Sequence, residues 1–298
     1  MLAVIAITAA SPAAAQFQLG GDVSVRYDDT SKIDERGQYR FRAEPGYAFD
    51  GGVSVHAFIA TGTAYSSTWN TMNADSRSNE IHFRRLFVRF ENERGKLELG
   101  TIPTYKGRVS STGLSENGWL KGARGVLRTE SASWEIVLAE LGDRRAQRAL
   151  SPAQELNYAE IEYSAVLSDE WSYELGFEHM LDDEFLRAEL RYESANAVVY
   201  SVEAIQNTAA NAAKFVAGME RSFNLGNRPV DWYVYYAYAE RRFGPRAELT
   251  EDFLDFGHAF ANEFSGGIAD YDQLSWFVKA EVYEESVRGQ LGVQFAFK

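Results

Sequence analysis

The chain contains no cysteine, and this absence removes several kinds of chemistry at once. Disulfide bridges, thiolate metal sites and cysteine nucleophiles are all excluded. Proline is scarce, with 6 residues against 24 glycines. The four histidines, His56, His82, His179 and His258, form neither an HExxH motif nor a close pair. A metalloenzyme of that type is therefore not predicted.

Long apolar stretches are also missing. The run Leu2–Ala10 is the nearest approach to one, and it falls well short of the roughly 20 residues that a transmembrane helix needs. Small residues at Ala13 and Ala15 predict a signal-peptidase site before Gln16, so residues 1–15 are interpreted as a signal peptide. No basic residues precede the run, which suggests that the signal begins upstream. The alternative is an apolar N-terminal strand or helix.

Positive charge is in short supply, because the net charge is −13. This argues against a broad nucleic-acid-binding surface. Residues 1–150 carry 19 Lys and Arg against 17 Asp and Glu, a balance of +2, whereas residues 151–298 carry 11 against 26, a balance of −15. One interpretation is a solvated acidic surface. In a barrel, however, the two halves of the chain form two halves of the wall, and a basic wall would face an acidic one.

Period-two alternation of apolar and polar residues dominates from Gln16 onward, as in strands with one apolar and one polar face. The first such segment, Phe17–Tyr27, has eleven residues, and about 9–11 suffice for a tilted transmembrane strand. The alternation recurs in Tyr39–Tyr47, Val53–Ile59, Trp171–Phe177, Leu186–Tyr192, Val198–Ala204, Trp276–Val282 and Leu291–Phe297. Aromatic residues reach 14%, which is typical of a barrel with aromatic belts at two membrane interfaces.

Residues 16–298 are therefore predicted to form one all-β domain, a transmembrane antiparallel β-barrel. About fifteen strands can be counted, and single-chain bacterial barrels have an even number. We predict sixteen strands, with fourteen as second choice, and place the omitted strand within Arg241–Asp272, where Phe253–Phe264 is a strand or a short loop helix. Short connections should alternate with longer ones, the latter at Asp28–Gln38, Thr61–Asn79, Ile102–Lys121 and Arg241–Asp272.

One strand changes phase. Ile81 and Phe83 share a phase, whereas Leu86 and the apolar residues after it take the opposite one. A β-bulge at Arg84-Arg85 would reconcile the two halves and point Arg84, Arg85 and Arg89 inward. The alternative, an arginine facing lipid at mid-depth, costs about 2–4 kcal/mol.

Three segments resemble the general diffusion porins of Gram-negative bacteria, of the alpha-proteobacterial, Rhodobacter-like type. They are the opening strand FQLGGDVSVRY, the hairpin LFVRFENERGKLELG at Leu86–Gly100, and the ending GQLGVQFAFK. The resemblance implies sixteen strands, a homotrimer, and a pore narrowed by an inward-folded third loop. It also implies that Phe297 is a C-terminal assembly signal, although Lys298 follows it here. The candidate third loop, Ile102–Arg124, departs from the family in holding a single acidic residue.

Candidate pore-lining residues follow from the polar strand faces and from the family's placement of its basic cluster. The basic candidates are Arg26, Arg40, Arg42, Arg84 and Arg85. The acidic candidates are Glu160, Glu162, Glu174, Glu178, Glu189, Glu203 and Glu220. The constriction-loop candidates are Lys106, Arg108 and Glu116, to which Lys121 and Arg124 add basic charge. The alternative is that these residues line a wide lumen away from its narrowest point.

The predicted function is passive diffusion of small hydrophilic solutes and ions through the outer membrane, with a mild cation preference. The expected partners are outer-membrane lipid and lipopolysaccharide, and no catalytic residue or organic cofactor is expected. The acidic groups Asp28-Asp29 and Asp182–Glu184 are candidates for loop-bound Ca²⁺ or Mg²⁺, although such groups are more often simply solvated. The alternatives are a substrate-selective channel for sugars or other nutrients, an outer-membrane hydrolase, and a secreted soluble β-protein.

Overall fold

The fold, described by a computed structural model, consists of strands joined by turns and connections. The described residues are 16–72, 80–104, 114–142, 149–244, 256–268, 271–284 and 286–298. The predicted signal peptide, residues 1–15, lies outside them, as do Lys106 and Arg108. Among the residues that the structure describes, no helix is long and apolar enough to cross a membrane.

Seventeen strands follow one another along these ranges. They are β1 (Gln16–Thr30), β2 (Ile33–Ala48), β3 (Val53–Thr61), β4 (Asn70–Thr71), β5 (Ile81–Asn92), β6 (Gly95–Ile102), β7 (Leu120–Arg128), β8 (Ala132–Glu140), β9 (Tyr158–Val166), β10 (Trp171–Met180), β11 (Asp183–Glu193), β12 (Val198–Asn207), β13 (Ala212–Leu225), β14 (Arg228–Ala239), β15 (Gly257–Ile268), β16 (Tyr271–Tyr283) and β17 (Ser286–Phe297).

Sixteen of these strands close into a barrel. Each long strand is antiparallel to its neighbours, and β1 pairs with both β2 and β17, which leaves no free edge in the ring. The two-residue β4 pairs only with Gln38 and Tyr39 of β2, where β3 no longer reaches. The predicted sixteen strands are therefore confirmed, and the strand expected within Arg241–Asp272 is β15.

Tight turns join the strands at the end of the barrel that holds Gln16 and Phe297. The longer connections all lie at the other end, together with two-residue turns such as the one between β10 and β11. The predicted long connection at Asp28–Gln38 is wrong, because β1 and β2 run on to a two-residue turn. The reason is that Asp28 accepts ion pairs from Arg36, at 2.8 Å, and from Arg288, at 2.6 Å. These polar residues belong to the inner wall rather than to a loop. The candidate third loop is also shorter than predicted, since Lys121 and Arg124 lie in β7.

The wall presents apolar side chains outward and polar side chains inward. In β1, Val23 and Val25 are each 46% exposed, whereas Asp22 and Ser24 are 3% and 1% exposed. A soluble barrel has the opposite arrangement, with its apolar side chains inside. An apolar outer face on every long segment requires an apolar surrounding, which a bilayer supplies.

Aromatic rings form a belt on the outer face at the end with tight turns. Trp134 lies 4.6 Å from Tyr163 between ring centroids, and Trp171 lies 4.7 Å from Tyr192. Trp232 stacks on Phe264 further along the same end, at 6.0 Å. Aromatic residues with a polar edge favour the headgroup level of a membrane, so the belt marks one interface.

The predicted bulge in β5 is confirmed. Phe58 of β3 pairs with Arg85 and the next residue pairs with Phe83, so that Arg84 has no partner in the ladder. The extra residue places Arg84 and Arg85 on the inner side, where they are 0% and 8% exposed. The apolar residues on both sides of the bulge can therefore remain outward.

Inside the barrel, an apolar cluster occupies the end with the longer connections. The strands contribute inward side chains such as Phe185 and Ile205, and the connections contribute Tyr65, Trp119 and Phe243. Sequence alternation indicated a polar interior throughout, and this part of it is not polar. The connections fold inward and pack there, which narrows the interior at this end.

The seam between the first and last strands depends on a glycine. Gly21 of β1 pairs with Phe297 of β17, whose ring crosses β1 to stack near Phe41 of β2, with ring centroids 6.4 Å apart. A Cβ atom at Gly21 would lie 2.6 Å from the Phe297 ring and 2.2 Å from the Arg42 carbonyl oxygen. The absence of a side chain therefore permits this closure.

Gly21→Ala should weaken the seam by about 1–3 kcal/mol, as is usual when a methyl group is forced into a packed position. The measurement is the temperature at which the refolded protein loses its compact mobility on a detergent gel. Gly20→Ala is the matched control, because no atom lies within 4 Å of a Cβ there. Equal transition temperatures for the two variants would contradict this description of the seam.

Candidate functional site

A basic cluster lies on the inner face of β1 and β2. Asp22 pairs with Arg42 at 2.6 Å and with Arg40 at 2.9 Å. The carboxylate is nearly buried, whereas both guanidinium groups keep partial access to the interior. One acidic side chain thus holds two of the predicted basic candidates side by side, and a surplus of positive charge remains.

Arg26, another predicted candidate, lies further toward the end with longer connections. Its Nε donates to the Gln38 side-chain oxygen at 2.8 Å, and its guanidinium lies 4.0 Å from the centre of the Trp69 ring. Arg40 approaches the same ring at 4.8 Å. Trp69 belongs to the connection after β3, so this connection lies against the basic cluster from inside the barrel.

Arg84 is fully buried among backbone carbonyl groups. It donates to Gly62 and Ser67, each at 2.8 Å, to Thr61 at 3.1 Å and to Asn117 at 3.2 Å. These acceptors lie at the end of β3, in the connection after it and in the connection before β7. Arg84 therefore joins the inward-folded connections through hydrogen bonds and does not face open space.

Arg85 has a different environment. Its guanidinium lies 3.9 Å from the centre of the Phe58 ring and donates to the Glu116 backbone oxygen at 2.9 Å. Its Nε is buried and has no hydrogen-bond partner among the described residues. The Arg85 side chain thus carries a buried positive charge whose hydrogen-bond partner is a neutral carbonyl.

The described part of the connection between β6 and β7 lies inside the barrel. Glu116 reaches Arg42 at 2.5 Å, and Ser115 donates to the Ser66 carbonyl at 3.1 Å. Tyr65 stacks near Trp119, with ring centroids 4.8 Å apart, and burial raises the pKa of the Tyr65 phenol. The inward-folded third loop that the family resemblance implied is present in residues 114–119, with Glu116 as its contact to the basic cluster.

The acidic candidates meet around a single arginine. Arg187 of β11 pairs with Glu203 at 2.6 Å, with Glu174 and Glu189 at 2.8 Å, and with Glu162 at 2.9 Å. These four carboxylates belong to β9, β10, β11 and β12. All five side chains are at most 11% exposed, so the group is a buried charge network with three more negative than positive groups.

The remaining acidic candidates lie near this network or apart from it. Glu160 accepts a hydrogen bond from the Tyr158 hydroxyl at 2.6 Å and pairs in register with Glu178. Both are buried on the inner face. Glu220 of β13 is half-buried and lies toward the tight turns, opposite Tyr233. The structure therefore groups six of the seven acidic candidates on β9–β12 and leaves Glu220 separate.

The two charged regions lie on opposite sides of the barrel. Counting around the ring from β2 through β3 and β5 to β11 takes eight steps, half of the sixteen strands. The basic cluster of β2 therefore faces the acidic network of β11. This is the opposition that the uneven charge of the two chain halves indicated.

Several residues with structural roles in the interior were not identified from the sequence. Arg187 shares its strand face with Glu189. The strand register places Arg187 beside Gly176, and the Arg187 side chain passes over this glycine to reach Glu162. Glu98 of β6 binds Arg89 at 2.7 Å. Glu98 also binds Lys96 and Arg124, at 3.3 and 3.1 Å. A search for opposite charges on neighbouring strand faces could have found these contacts.

The proposed cation sites remain predictions. Asp28 binds two arginines, and Asp183 and Glu184 open β11 rather than lying in a loop. Within the described ranges, no group of three or more His, Asp or Glu side chains is arranged to hold a metal ion.

Comparison with known proteins reveals similarity of structure. No protein-family model matches the chain, and no curated protein matches it. A mutant of the Rh. blastica porin with five substitutions is 10% identical, matches 95% of this chain and 100% of its own, and has a TM-score of 0.67. A triple mutant of the Rhodopseudomonas blastica porin matches the same shares at 9% identity, also with a TM-score of 0.67. The resemblance to porins is therefore confirmed at the level of the fold.

Replacing Arg187 should destabilise the barrel. Arg187→Met leaves four buried carboxylates without their shared cation, and loss of one partner from a buried ion pair typically costs about 3–5 kcal/mol. The measurement is urea unfolding of the refolded protein in detergent. Adding Glu203→Gln should restore part of the loss, because it removes one of the buried negative charges that Arg187 offsets.

Arg191→Met is the matched control, since Arg191 lies on the same strand face but is half-buried. A loss as large for Arg191→Met as for Arg187→Met would mean that the four-carboxylate network has no special role in stability.

Proposed function

We propose that this chain is an outer-membrane diffusion channel that passes small hydrophilic solutes and ions down their gradients. The observation that carries this proposal is the inverted barrel: sixteen closed strands with apolar residues outside and charged residues on two opposing inner walls. In a membrane, a closed barrel satisfies every backbone hydrogen bond, and a polar interior provides a path for water.

The strand lengths and the connections support the same proposal. Fifteen of the sixteen wall strands have between 9 and 16 residues, enough to cross the apolar layer when tilted, and β6 has 8. The aromatic belt and the tight turns at one end are typical of bacterial outer-membrane barrels. The fold similarity to porins adds support, and we propose the bacterial outer membrane as the location and a homotrimer as the assembly.

We also propose a mild cation preference. The net charge is −13, and residues 151–298 account for a balance of −15. An acidic wall raises the local concentration of cations, because the field in a narrow aqueous section selects the permeant ion.

The test is conductance of the refolded, detergent-purified protein in a planar bilayer under a KCl gradient. We expect discrete open steps grouped in threes and a reversal potential on the cation-selective side. Glu220→Gln should shift that potential toward zero, because Glu220 lies half-buried on the inner face. Glu130→Gln removes the same charge from an exposed tight turn and should have little effect.

A folded barrel without conductance would contradict the channel proposal. Steps with an anion-selective reversal potential would leave the channel intact and overturn the cation preference.

A further inference from the structure

A cavity inside the barrel has a strongly basic lining. It measures about 560 Å³ and lies against the inner faces of β1, β2, β3, β5, β6 and β7, beside the inward-folded connection. Five cationic side chains line it: Arg42, Arg85, Arg89, Lys96 and Arg124. Only two carboxylates, Glu44 and Glu116, share the lining. We call this cavity the basic chamber.

Carboxylates outside the lining are shared among several of these cations. Glu98, on the inner face of β6 but outside the lining, is shared by Arg89, Lys96 and Arg124, so that one carboxylate serves three cations. Arg124 gains a second partner in Glu135 at 2.9 Å. Arg89 also lies 3.9 Å from Glu91. Within the lining itself, five cations face two carboxylates.

Arg42 adds to the charge from the opposite side of the chamber. It binds Asp22 and Glu116, but Asp22 is also shared with Arg40. Here too, basic side chains share one buried carboxylate. The lining cations therefore extend across the chamber from β2 to β7.

Arg85 is the lining cation that forms no ion pair among the described residues. It is 8% exposed, it donates to the Glu116 backbone oxygen, and its Nε has no hydrogen-bond partner among the described residues. Glu44 and Glu116 lie near enough to attract the guanidinium, but among the described residues neither carboxylate accepts a hydrogen bond from it. An anion in the chamber could accept from Arg85 and lie near the other cations.

We infer that the basic chamber binds small solutes that carry a phosphate group as they cross the barrel, an inference that rests on the proposed channel function. Guanidinium groups match phosphate oxygens in geometry, and a lysine adds a point charge. Cations that converge from several strands suit a tetrahedral dianion better than a planar carboxylate of single charge. The cavity also falls within the common size range of small-molecule sites, about 300–1,000 Å³.

The test measures channel conductance in KCl as inorganic phosphate is added at pH 8, with potassium acetate as the ionic-strength-matched control. Phosphate should reduce the conductance in a saturable way, and acetate should not. Arg85→Gln should raise the half-effective phosphate concentration at least tenfold. Lys96→Gln, at a more exposed position in the chamber, should raise it at least threefold and serves if Arg85→Gln fails to fold.

Arg191→Gln is the matched control, because it removes one positive charge from the acidic side and should leave the half-effective concentration unchanged. Titration calorimetry of the detergent-solubilised protein with phosphate separates the two proposals. If the protein does not conduct but binds phosphate, and the chamber variants lose that binding, the chamber proposal is supported and the channel proposal is overturned. A conducting protein with no saturable phosphate effect, or with the same effect in all variants, would overturn the chamber and leave the channel.

Discussion

Charge pairing across the inner wall is the interaction on which the rest of the structure depends. Closing the strands into a barrel satisfies the backbone, but it also directs every second side chain into a confined interior. Arg187 joins four neighbouring strands, β9 to β12, through its four carboxylate partners. Glu98 links β5, β6 and β7 in the same way, and Asp28 links β1 to β2 and β17. Removing one member of such a group leaves its partners buried without their shared counter-charge.

The same arginines determine how the connections lie. Arg84 holds backbone carbonyls of two connections, and Arg42 holds Glu116. These cations hold the described parts of the connections after β3 and before β7 inside the barrel. The interior is consequently divided into an apolar cluster at one end, an acidic network on one wall and the basic chamber on the other. A solute that enters the barrel meets charges of opposite sign on its two sides.

Much of the fold could be predicted because period-two alternation reflects a local property of strands. The alternation predicted a wall with apolar side chains outside and polar side chains inside, and the phase change in β5 located the bulge at Arg84. The even-number rule indicated the missing strand, which is β15. Short polar segments were harder, and Asp28 looked like a loop residue because its partner Arg288 lies 260 residues away in the chain. Sequence alone gives no register between the first and last strands.

The sequence predicted which strand faces carry the candidate residues, but not which of these residues contact one another. The polar faces correctly grouped Glu174, Glu189 and Glu203, yet only the register of four strands brings them to Arg187. Likewise, the sequence suggested that Arg84 and Arg85 point inward but not that one binds loop carbonyls while the other lines a cavity. Such differences depend on how the connections fold, which alternation does not encode.

The most direct test of the central claim, that the charged inner face lines an aqueous path through an apolar outer shell, is cysteine labelling. The chain has no native cysteine, so a single introduced thiol is the only target. Glu44→Cys places that thiol in the basic chamber, and Val23→Cys places it on the outer face of β1. In an open channel, a membrane-impermeant charged thiol reagent should change the conductance of the Glu44→Cys protein and leave the Val23→Cys protein unaffected. Modification at Val23→Cys with no effect at Glu44→Cys would contradict this account of which face meets water.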